Sequence, residues 1–243
     1  MIQIQMPMPK REATAPSSAI QDRPGEAGFP PAIGATGDRD RIRALAMHVE
    51  TNFLARLPPD LLYHGPHHTL LDVFPAVDRL CEGEAVAPGD RDMVLAAGLF
   101  HDIGFLETYD GNEPVGARIA GETLPGFGFP PPEVSRVRTL ILSTAMKEVD
   151  GVWRQVPGDD PLARILCDAD LDNLGRDDFF GVSATLRREL SNQGRDFTEL
   201  QWLARQILFV SQQEWFTDTQ RRARQAGKEA NLAELRRQLS GLL

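Results

Sequence analysis

The 243-residue sequence contains little cysteine and has no apolar run long enough to cross a membrane. Its two cysteines, Cys81 and Cys167, are far apart in apolar segments, so we expect neither a disulfide framework nor a thiolate metal cluster. A membrane helix needs about 18 consecutive apolar residues, and residues 1–16 lack the continuous apolar stretch of a secretory signal. The sequence therefore predicts a cytoplasmic protein with two buried thiols.

Positive charge is also scarce, because 26 Lys and Arg residues face 35 Asp and Glu residues, which gives a net charge of −9. An acidic surface repels a polyanion, so we expect neither duplex nucleic acid nor a membrane surface as a partner. Basic residues are concentrated in residues 217–243, where we interpret them as the solvated face of a last helix. Apolar residues make up 42% and charged residues 25%, which is typical of a folded globular protein.

Proline and glycine divide the chain into two parts. Residues 1–37 contain six prolines and four glycines without an apolar period, which predicts a disordered tail. In residues 38–243 apolar side chains recur every three or four residues, and convincing strand alternation is absent. We therefore predict a single, globular, all-α domain over residues 38–243. Residues 147–160 are predicted to be a loop long enough to lie over a site.

The apolar periodicity also predicts where the helices lie. Proline ends or begins several of them, and Asp90 is expected to be the N-cap of one helix. The predicted helices begin at Asp38, His64 and Asp90 and after Pro114, Pro132 and Pro161, and three more cover residues 179–192, 198–213 and 217–240.

Four of the five histidines form two groups, His64, His67 and His68 in one and His101 beside Asp102 in the other. In a helix, His64 and His68 share a face because they are four residues apart, whereas His67 is turned away and is expected to face solvent. The His101-Asp102 pair directly follows a strongly apolar segment, so both side chains extend from the end of a core helix. A carboxylate held there needs a cation or hydrogen-bond donors.

Three carboxylates, those of Asp168, Asp170 and Asp172, lie within five residues. Asp170 falls on the apolar stripe of Leu162 and Leu166 and is predicted to face inward. Asp168 and Asp172 share a more polar side, so we expect them to be solvated or to support the site without binding a metal. Two imidazoles and two inward carboxylates from three helices suit zinc, manganese, iron or magnesium, although buried, hydrogen-bonded side chains are the alternative.

The order of these residues resembles a known family. His68, then His101-Asp102 within Leu-Phe-His-Asp-Ile-Gly, then Asp170 within Asp-Ala-Asp-Leu are similar to the H…HD…D signature of the HD-domain metal-dependent phosphohydrolases. The similarity spans about Tyr63 to Gly175. It implies an all-α HD domain in which these four residues hold a divalent metal ion.

A finer resemblance concerns Tyr63-His64, four residues ahead of His68. Cyclic-nucleotide phosphodiesterases, a branch of the same superfamily, carry a similar stretch whose histidine protonates the leaving group. The resemblance therefore implies a general-acid role for His64. Gln206 and Phe209 superficially resemble a glutamine and a phenylalanine that grip the base in those enzymes, although the Gln-x-x-Phe pattern is common.

The expected chemistry follows from these assignments. A divalent ion lowers the pKa of bound water and so makes it a nucleophile, while His64 gives a proton to the departing oxygen. Asp102 can bridge to a second ion, which we expect to be magnesium, because no histidine follows His101 in the sequence to build another nitrogen-rich site. Glu113 either orients a metal-bound water or only interacts with a helix dipole, and Lys147 either contacts a phosphate or is an ordinary surface lysine.

The sequence thus predicts a metal-dependent hydrolase that cleaves a phosphoester bond of a small, nucleotide-like substrate, in the manner of a phosphodiesterase. The first alternative is a phosphomonoesterase of the 5′-nucleotidase type. The second is a signalling module that binds metal and nucleotide without turnover. Its expected partner is a small phosphorylated molecule, and the oligomeric state is not predicted.

Overall fold

The structure is a computed structural model that describes residues 38–243, and this part of the chain is α-helical apart from one short hairpin. The prediction of an all-α fold is confirmed. The predicted disordered tail, residues 1–37, lies outside the described residues. Within the described range, no helix combines the length and hydrophobicity needed to span a membrane.

Nine α-helices and two strands make up the described range, with short 3-10 or π-helical turns between them. Proline occupies the first turn of five helices, where its missing N–H has no helical partner to lose. The elements are α1 (Asp38–Asn52), α2 (Phe74–Gly83), α3 (Pro88–Phe100), α4 (Glu113–Thr123), α5 (Pro131–Ser143), β1 (Lys147–Val149), β2 (Val152–Arg154), α6 (Pro161–Asp170), α7 (Phe179–Asn192), α8 (Glu199–Gln212) and α9 (Asp218–Ser240).

Two predicted helix starts are wrong. Helix α3 begins at Pro88 with Ala87 as its N-cap, so Asp90 lies inside the first turn, where its charge favours the helix dipole. The helix predicted from His64 begins later, because His68–Val73 forms a π-helical turn that leads into α2. Single π-helical turns are rare and are often found at functional sites.

Helices α1 to α6 enclose one apolar core, and α3 is its central element. Seven consecutive residues of α3, Val94 to Phe100, are buried, which explains the apolar run ahead of the His-Asp pair. Cys81 and Cys167 are both buried free thiols, as expected. A second apolar cluster joins the residues after α6 to α7, α8 and α9 through Phe179, Leu203 and Leu235.

Asp168 and Asp172 connect these two groups of helices, and the expectation that they are solvated is wrong. Asp168 accepts hydrogen bonds from the backbone N–H of Phe216 at 2.9 Å and from the N–H and hydroxyl of Thr217 at 2.8 and 2.7 Å. Both carboxylates are buried, because α9 packs on the turn Asp172–Gly175 and the residues just before α9 contact Asp168. The donors to Asp172 are Arg79, Arg224 and Gln220, at distances of 2.7 to 2.9 Å.

The predicted loop over residues 147–160 contains the hairpin β1–β2. Val149 pairs with Val152 across a two-residue turn in which Asp150 and Gly151 have φ angles of 53° and 77°. An Asp-Gly pair with positive φ at both positions is typical of a type I′ hairpin turn. Strands of three residues are too short to show alternation, so the Asp-Gly pair was the available sequence signal.

Candidate metal centre

Three distant segments bring the predicted ligands together. His68 begins the π-helical turn before α2, His101 and Asp102 directly follow α3, and Asp170 is the last residue of α6. These elements pack on one another in the first apolar core, so their ends meet on one side of it. His68, His101 and Asp102 form a group whose possible ligand atoms all lie within 4.8 Å of one another, and this group could hold a metal ion.

The distances between the nitrogen and oxygen atoms fit a shared ion. His68 Nε2 lies 3.1 Å from Asp170 Oδ1 and 3.7 Å from Asp102 Oδ2. His101 Nε2 lies 3.1 Å from Asp102 Oδ2 and 3.5 Å from Asp170 Oδ1. Two ligands about 2.1 Å from one ion, at angles between tetrahedral and octahedral values, lie about 3.0–3.4 Å apart. His68, His101 and Asp102 therefore lie close to coordination spacing, and Asp170, which is outside that group, has Oδ1 near both ring nitrogens.

The hydrogen bonds of His101 show why a cation fits between these atoms. His101 Nδ1 donates to the carbonyl oxygen of Gly98 at 2.8 Å, so in the neutral ring Nε2 carries a lone pair. Nε2 lies 3.1 Å from Asp102 Oδ2 but is not aligned for a hydrogen bond with it, and both atoms are buried without a hydrogen-bond partner in the described part of the chain. Two buried acceptors that face each other are unfavourable unless a positive charge lies between them.

The pKa shifts of the four side chains also indicate that a positive charge is stabilised between them. Burial lowers the pKa of His68 and His101, but the carboxylates around them outweigh it, raising the pKa of His68 to about 9 and that of His101 well above its ordinary value. Burial in turn raises the pKa of Asp102 and Asp170, yet contact with the two rings holds both below their ordinary values. The site thus stabilises two negative charges that require a cation or protonated imidazoles.

Two neighbouring side chains lie beside the ligands. Asp72, one turn after His68, has Oδ2 3.9 Å from His68 Nδ1 and is itself ion-paired with Arg176. Asn112 donates to the carbonyl oxygen of His101 at 3.2 Å, and its amide lies 3.5 Å from Asp102 Oδ1. Asn112 thus holds the His101-Asp102 segment, whereas the Asp72 carboxylate is too far from His68 Nδ1 for a hydrogen bond, and that nitrogen has no hydrogen-bond partner in residues 38–243.

Two glycines allow α4 to pack closely against the segment that contains His101 and Asp102. A Cβ atom on Gly104 would lie 1.8 Å from the carbonyl oxygen of Asn112 and one on Gly116 would lie 2.7 Å from that of Phe100, so both positions require glycine. This close approach explains the Ile-Gly that follows the His-Asp pair. It also brings Glu113, the first residue of α4, toward the centre.

His64 lies outside the group of ligand atoms but next to it. It precedes the helical turn, so the prediction that it shares a helix face with His68 is wrong, although the two ring centroids are only 6.2 Å apart. The His64 ring stacks on Phe105 at 4.5 Å, and its Nδ1 pairs with Glu189. The ring therefore has a defined orientation, with Nε2 as its remaining nitrogen.

Glu189, on α7, was not predicted as a site residue. It is completely buried, and its Oε2 accepts from the backbone N–H groups of Tyr63 at 2.7 Å and His64 at 3.0 Å. Its Oε1 accepts from His64 Nδ1 and, at 2.9 Å, from the Tyr109 hydroxyl. Burial raises the pKa of Glu189, but the hydrogen bonds from His64 and the backbone outweigh it and hold the pKa below its ordinary value. Glu189 is thus a charged anchor for His64.

The other predicted residues differ in their placement. Glu113 is partly buried at the start of α4, and burial, together with the charges of Asp102 and Asp170, raises its pKa. Lys147 is exposed on β1 and makes none of the hydrogen bonds or ion pairs of the cluster in residues 38–243. The side chain of His67 is 71% exposed, as predicted.

A small cavity adjoins the centre on the side of Tyr63. The Tyr63 ring lies 4.6 Å from the ring of His68, and the cavity beyond it has a volume of about 90 Å³. Its walls are mostly apolar, with a few amide and hydroxyl groups. The lining includes Tyr63, Asn173, Phe179, Ser183, Gln206 and Phe209. A larger cavity of about 650 Å³ lies between α7, α8 and α9 and contains none of the predicted site residues.

No protein-family model, no curated protein and no solved structure matches this chain. The resemblance to HD-domain phosphohydrolases therefore stays a prediction. The interpretation of the site depends on its own geometry and chemistry.

Proposed function

We propose that this chain is a cytoplasmic, metal-dependent phosphohydrolase of the HD type that cleaves a phosphoester of a small nucleotide-like molecule. The observation that carries the proposal is the buried, unpartnered pair of His101 Nε2 and Asp102 Oδ2, with His68 and Asp170 close to it. Two nitrogen and two oxygen ligands suit zinc, manganese, iron or magnesium.

When bound, a divalent ion supplies Lewis acidity that polarises a phosphoryl oxygen and activates water for attack. Glu113 is the side chain that would orient this water, because its partly buried carboxylate lies near Asp102 and Asp170 at the start of α4. Asp102 would also be shared with a second, mostly water-ligated magnesium ion. Lys147 is exposed, and a contact with phosphate would require it to reach the site from β1.

His64 is placed to act as the general acid. Glu189 holds Nδ1, so Nε2 is the nitrogen that would transfer a proton to the departing oxygen. Phe105 and Tyr63 flank the ring with centroid distances of 4.5 and 4.6 Å and restrict its motion. The ring lies beside His68 but is not one of the ligand group. It is therefore free to donate a proton to a phosphoester held at the centre. A departing alkoxide needs this proton most, so a general acid suits a phosphodiester or a sugar phosphate.

The cavity beyond Tyr63 supports a substrate with an organic ring. Aromatic and aliphatic walls with a few polar groups are typical of sites for planar organic ligands. Gln206 accepts a hydrogen bond from Ser183 at 3.1 Å, and Phe209 lies on the same wall. At about 90 Å³ the cavity is smaller than the ~300–1,000 Å³ of typical ligand pockets, so a nucleotide-like phosphoester with its phosphate at the centre would have to widen it to insert its ring.

The proposal is tested with the full chain stripped of metal by a chelator and assayed on bis(p-nitrophenyl) phosphate and a panel of cyclic and linear nucleotides. We expect activity to disappear and to return with manganese, cobalt or magnesium. Asp170→Asn should lose metal and activity, whereas the matched variant Asp168→Asn should keep its metal, because Asp168 binds only Phe216 and Thr217.

One outcome would contradict the proposal, and two others would select an alternative function. Activity that is indifferent to chelation would contradict it. Hydrolysis of 5′-mononucleotides alone would identify a phosphomonoesterase. Saturable nucleotide binding by calorimetry, with metal bound but no turnover of any substrate, would identify a signalling module.

A further inference from the structure

Gln155 is a buried amide that directly follows β2 and reaches the metal centre. Its Nε2 donates to Asp170 Oδ2 at 2.6 Å and to the carbonyl oxygen of Thr144 at 3.0 Å. Because both partners are acceptors, their chemistry determines which amide atom faces them. Gln155 is only 2% exposed, so water does not compete with this contact.

This hydrogen bond holds Asp170 Oδ2, whereas Oδ1 faces the two imidazoles and is hydrogen-bonded to His68 Nε2. Oδ2 is held by the amide, while Oδ1 faces His68 Nε2 at 3.1 Å and His101 Nε2 at 3.5 Å. A freely rotating carboxylate can offer one or both oxygens to an ion. A hydrogen bond to Oδ2 occupies one of its lone pairs and fixes the plane of the carboxylate, which favours Oδ1 as the oxygen offered to an ion.

The amide oxygen of Gln155 argues against a purely stabilising role. Oε1 is buried and has no hydrogen-bond partner among residues 38–243. A buried acceptor without a partner lowers stability, and such groups in native structures call for a specific explanation. A methionine would fill similar space without this penalty, so the advantage of the amide lies in its Nε2 donors.

We propose that Gln155 is a positioning residue that acts through Asp170, making it a one-oxygen ligand and setting the affinity and geometry of the centre for a divalent ion. This inference rests on the proposed metal centre. The hairpin supplies the position, because its turn at Asp150 and Gly151 returns the chain toward the end of α6. Gln213 fixes the second strand by donating to the carbonyl oxygen of Trp153 at 3.0 Å.

The test compares Gln155→Met with Gln220→Met in the full, metal-stripped chain. Gln220 is a matched control, because its buried Nε2 also donates to a carboxylate, Asp172 Oδ1 at 2.9 Å, away from the cluster. Three quantities are measured: Mn²⁺ affinity by calorimetry, the visible spectrum of bound Co²⁺, and the Tm of the metal-free chain.

We expect Gln155→Met to lower the Mn²⁺ affinity about 10- to 100-fold and to change the Co²⁺ spectrum, since the partners of metal ligands contribute on that scale. Gln220→Met should lower the Tm and leave the Mn²⁺ affinity and the Co²⁺ spectrum unchanged. Gln155→Asn keeps the amide, but its side chain is one methylene shorter and does not reach Asp170. It should therefore lower the Mn²⁺ affinity as Gln155→Met does. Gln155→Asn takes the place of Gln155→Met in the test if Gln155→Met does not fold.

The outcomes separate this inference from the metal-centre proposal. A wild-type chain that binds no Mn²⁺ would overturn both. A wild-type chain that binds Mn²⁺, with Gln155 variants that match its affinity and Co²⁺ spectrum, would overturn only the role of Gln155. Failure of both Gln155 variants to fold would assign the residue to stability and likewise overturn the positioning role.

Discussion

Glu189→Gln is expected to slow turnover while the chain stays folded and the metal stays bound. Glu189 Oε2 accepts two backbone N–H groups, and Oε1 faces the rings of His64 and Tyr109. Glutamine keeps one oxygen for the two backbone donors and directs an NH₂ group toward His64. Alanine would instead leave both N–H groups buried without an acceptor, which would lower the stability of the fold by about 1–3 kcal/mol for each group. A loss of activity in that variant could then come from unfolding and not from catalysis.

The size of the effect follows from the interaction that is lost, the charged hydrogen bond between Glu189 and the His64 ring. A hydrogen bond to a charged group contributes about 1.5–3 kcal/mol, and about 1.4 kcal/mol corresponds to a tenfold change in rate. Glu189→Gln should therefore lower kcat roughly 10- to 150-fold. His64→Ala removes the proton donor itself and should lower kcat about 10²- to 10⁴-fold.

The assay uses the p-nitrophenyl and phenyl esters of thymidine 5′-phosphate with Mn²⁺ present. p-Nitrophenolate leaves readily without a proton, so a general acid matters much more for the phenyl ester. Both variants should therefore lose far more activity on the phenyl ester, with unchanged metal content by elemental analysis. Equal losses on the two esters would refute the general-acid role. Loss of metal in His64→Ala would reassign His64 as a ligand.

Two further predictions concern stability. Because its hydrogen bonds hold the pKa of Glu189 below the ordinary 4.5, its contribution to stability is complete above about pH 4.5 and is lost as the pH falls further. The Tm of the wild-type chain should thus fall more steeply below pH 4.5 than that of Glu189→Gln, and parallel curves would contradict this. Gly104→Ala should lower the free energy of unfolding in guanidinium by more than about 3 kcal/mol, because its Cβ would meet the Asn112 carbonyl oxygen at 1.8 Å. Its control, Gly89→Ala, has open space around the new methyl group and should be neutral or slightly stabilising, and equal stability of the two variants would refute the steric argument.

The ligands of the centre were predictable because their signals are local. An apolar helix that ends in His101-Asp102, and an acid on the apolar stripe of α6, are visible in short windows of sequence. Glu189 and Gln155 have no such signal. Glu189 lies 125 residues from His64 within an Arg-Arg-Glu segment that resembles an exposed helix face. Only the packing of α7 against the turn before His68 shows that this carboxylate is buried and has a partner.

Asp168, Asp170 and Asp172 show the limit of the amphipathic argument on α6. The pattern predicts burial against one neighbouring layer, but α9 packs on the turn after α6 that contains Asp172, and Phe216 and Thr217, just before α9, cover Asp168. Asp170, whose side chain is 16% exposed, is in fact the least buried of the three. The difference that matters is the number of donors, because Asp168 and Asp172 already accept several hydrogen bonds from α9 or the residues before it. Asp170 Oδ1 instead contacts two ring nitrogens, His68 Nε2 through a hydrogen bond at 3.1 Å and His101 Nε2 at 3.5 Å, so an ion bound by both rings can take the place of these contacts.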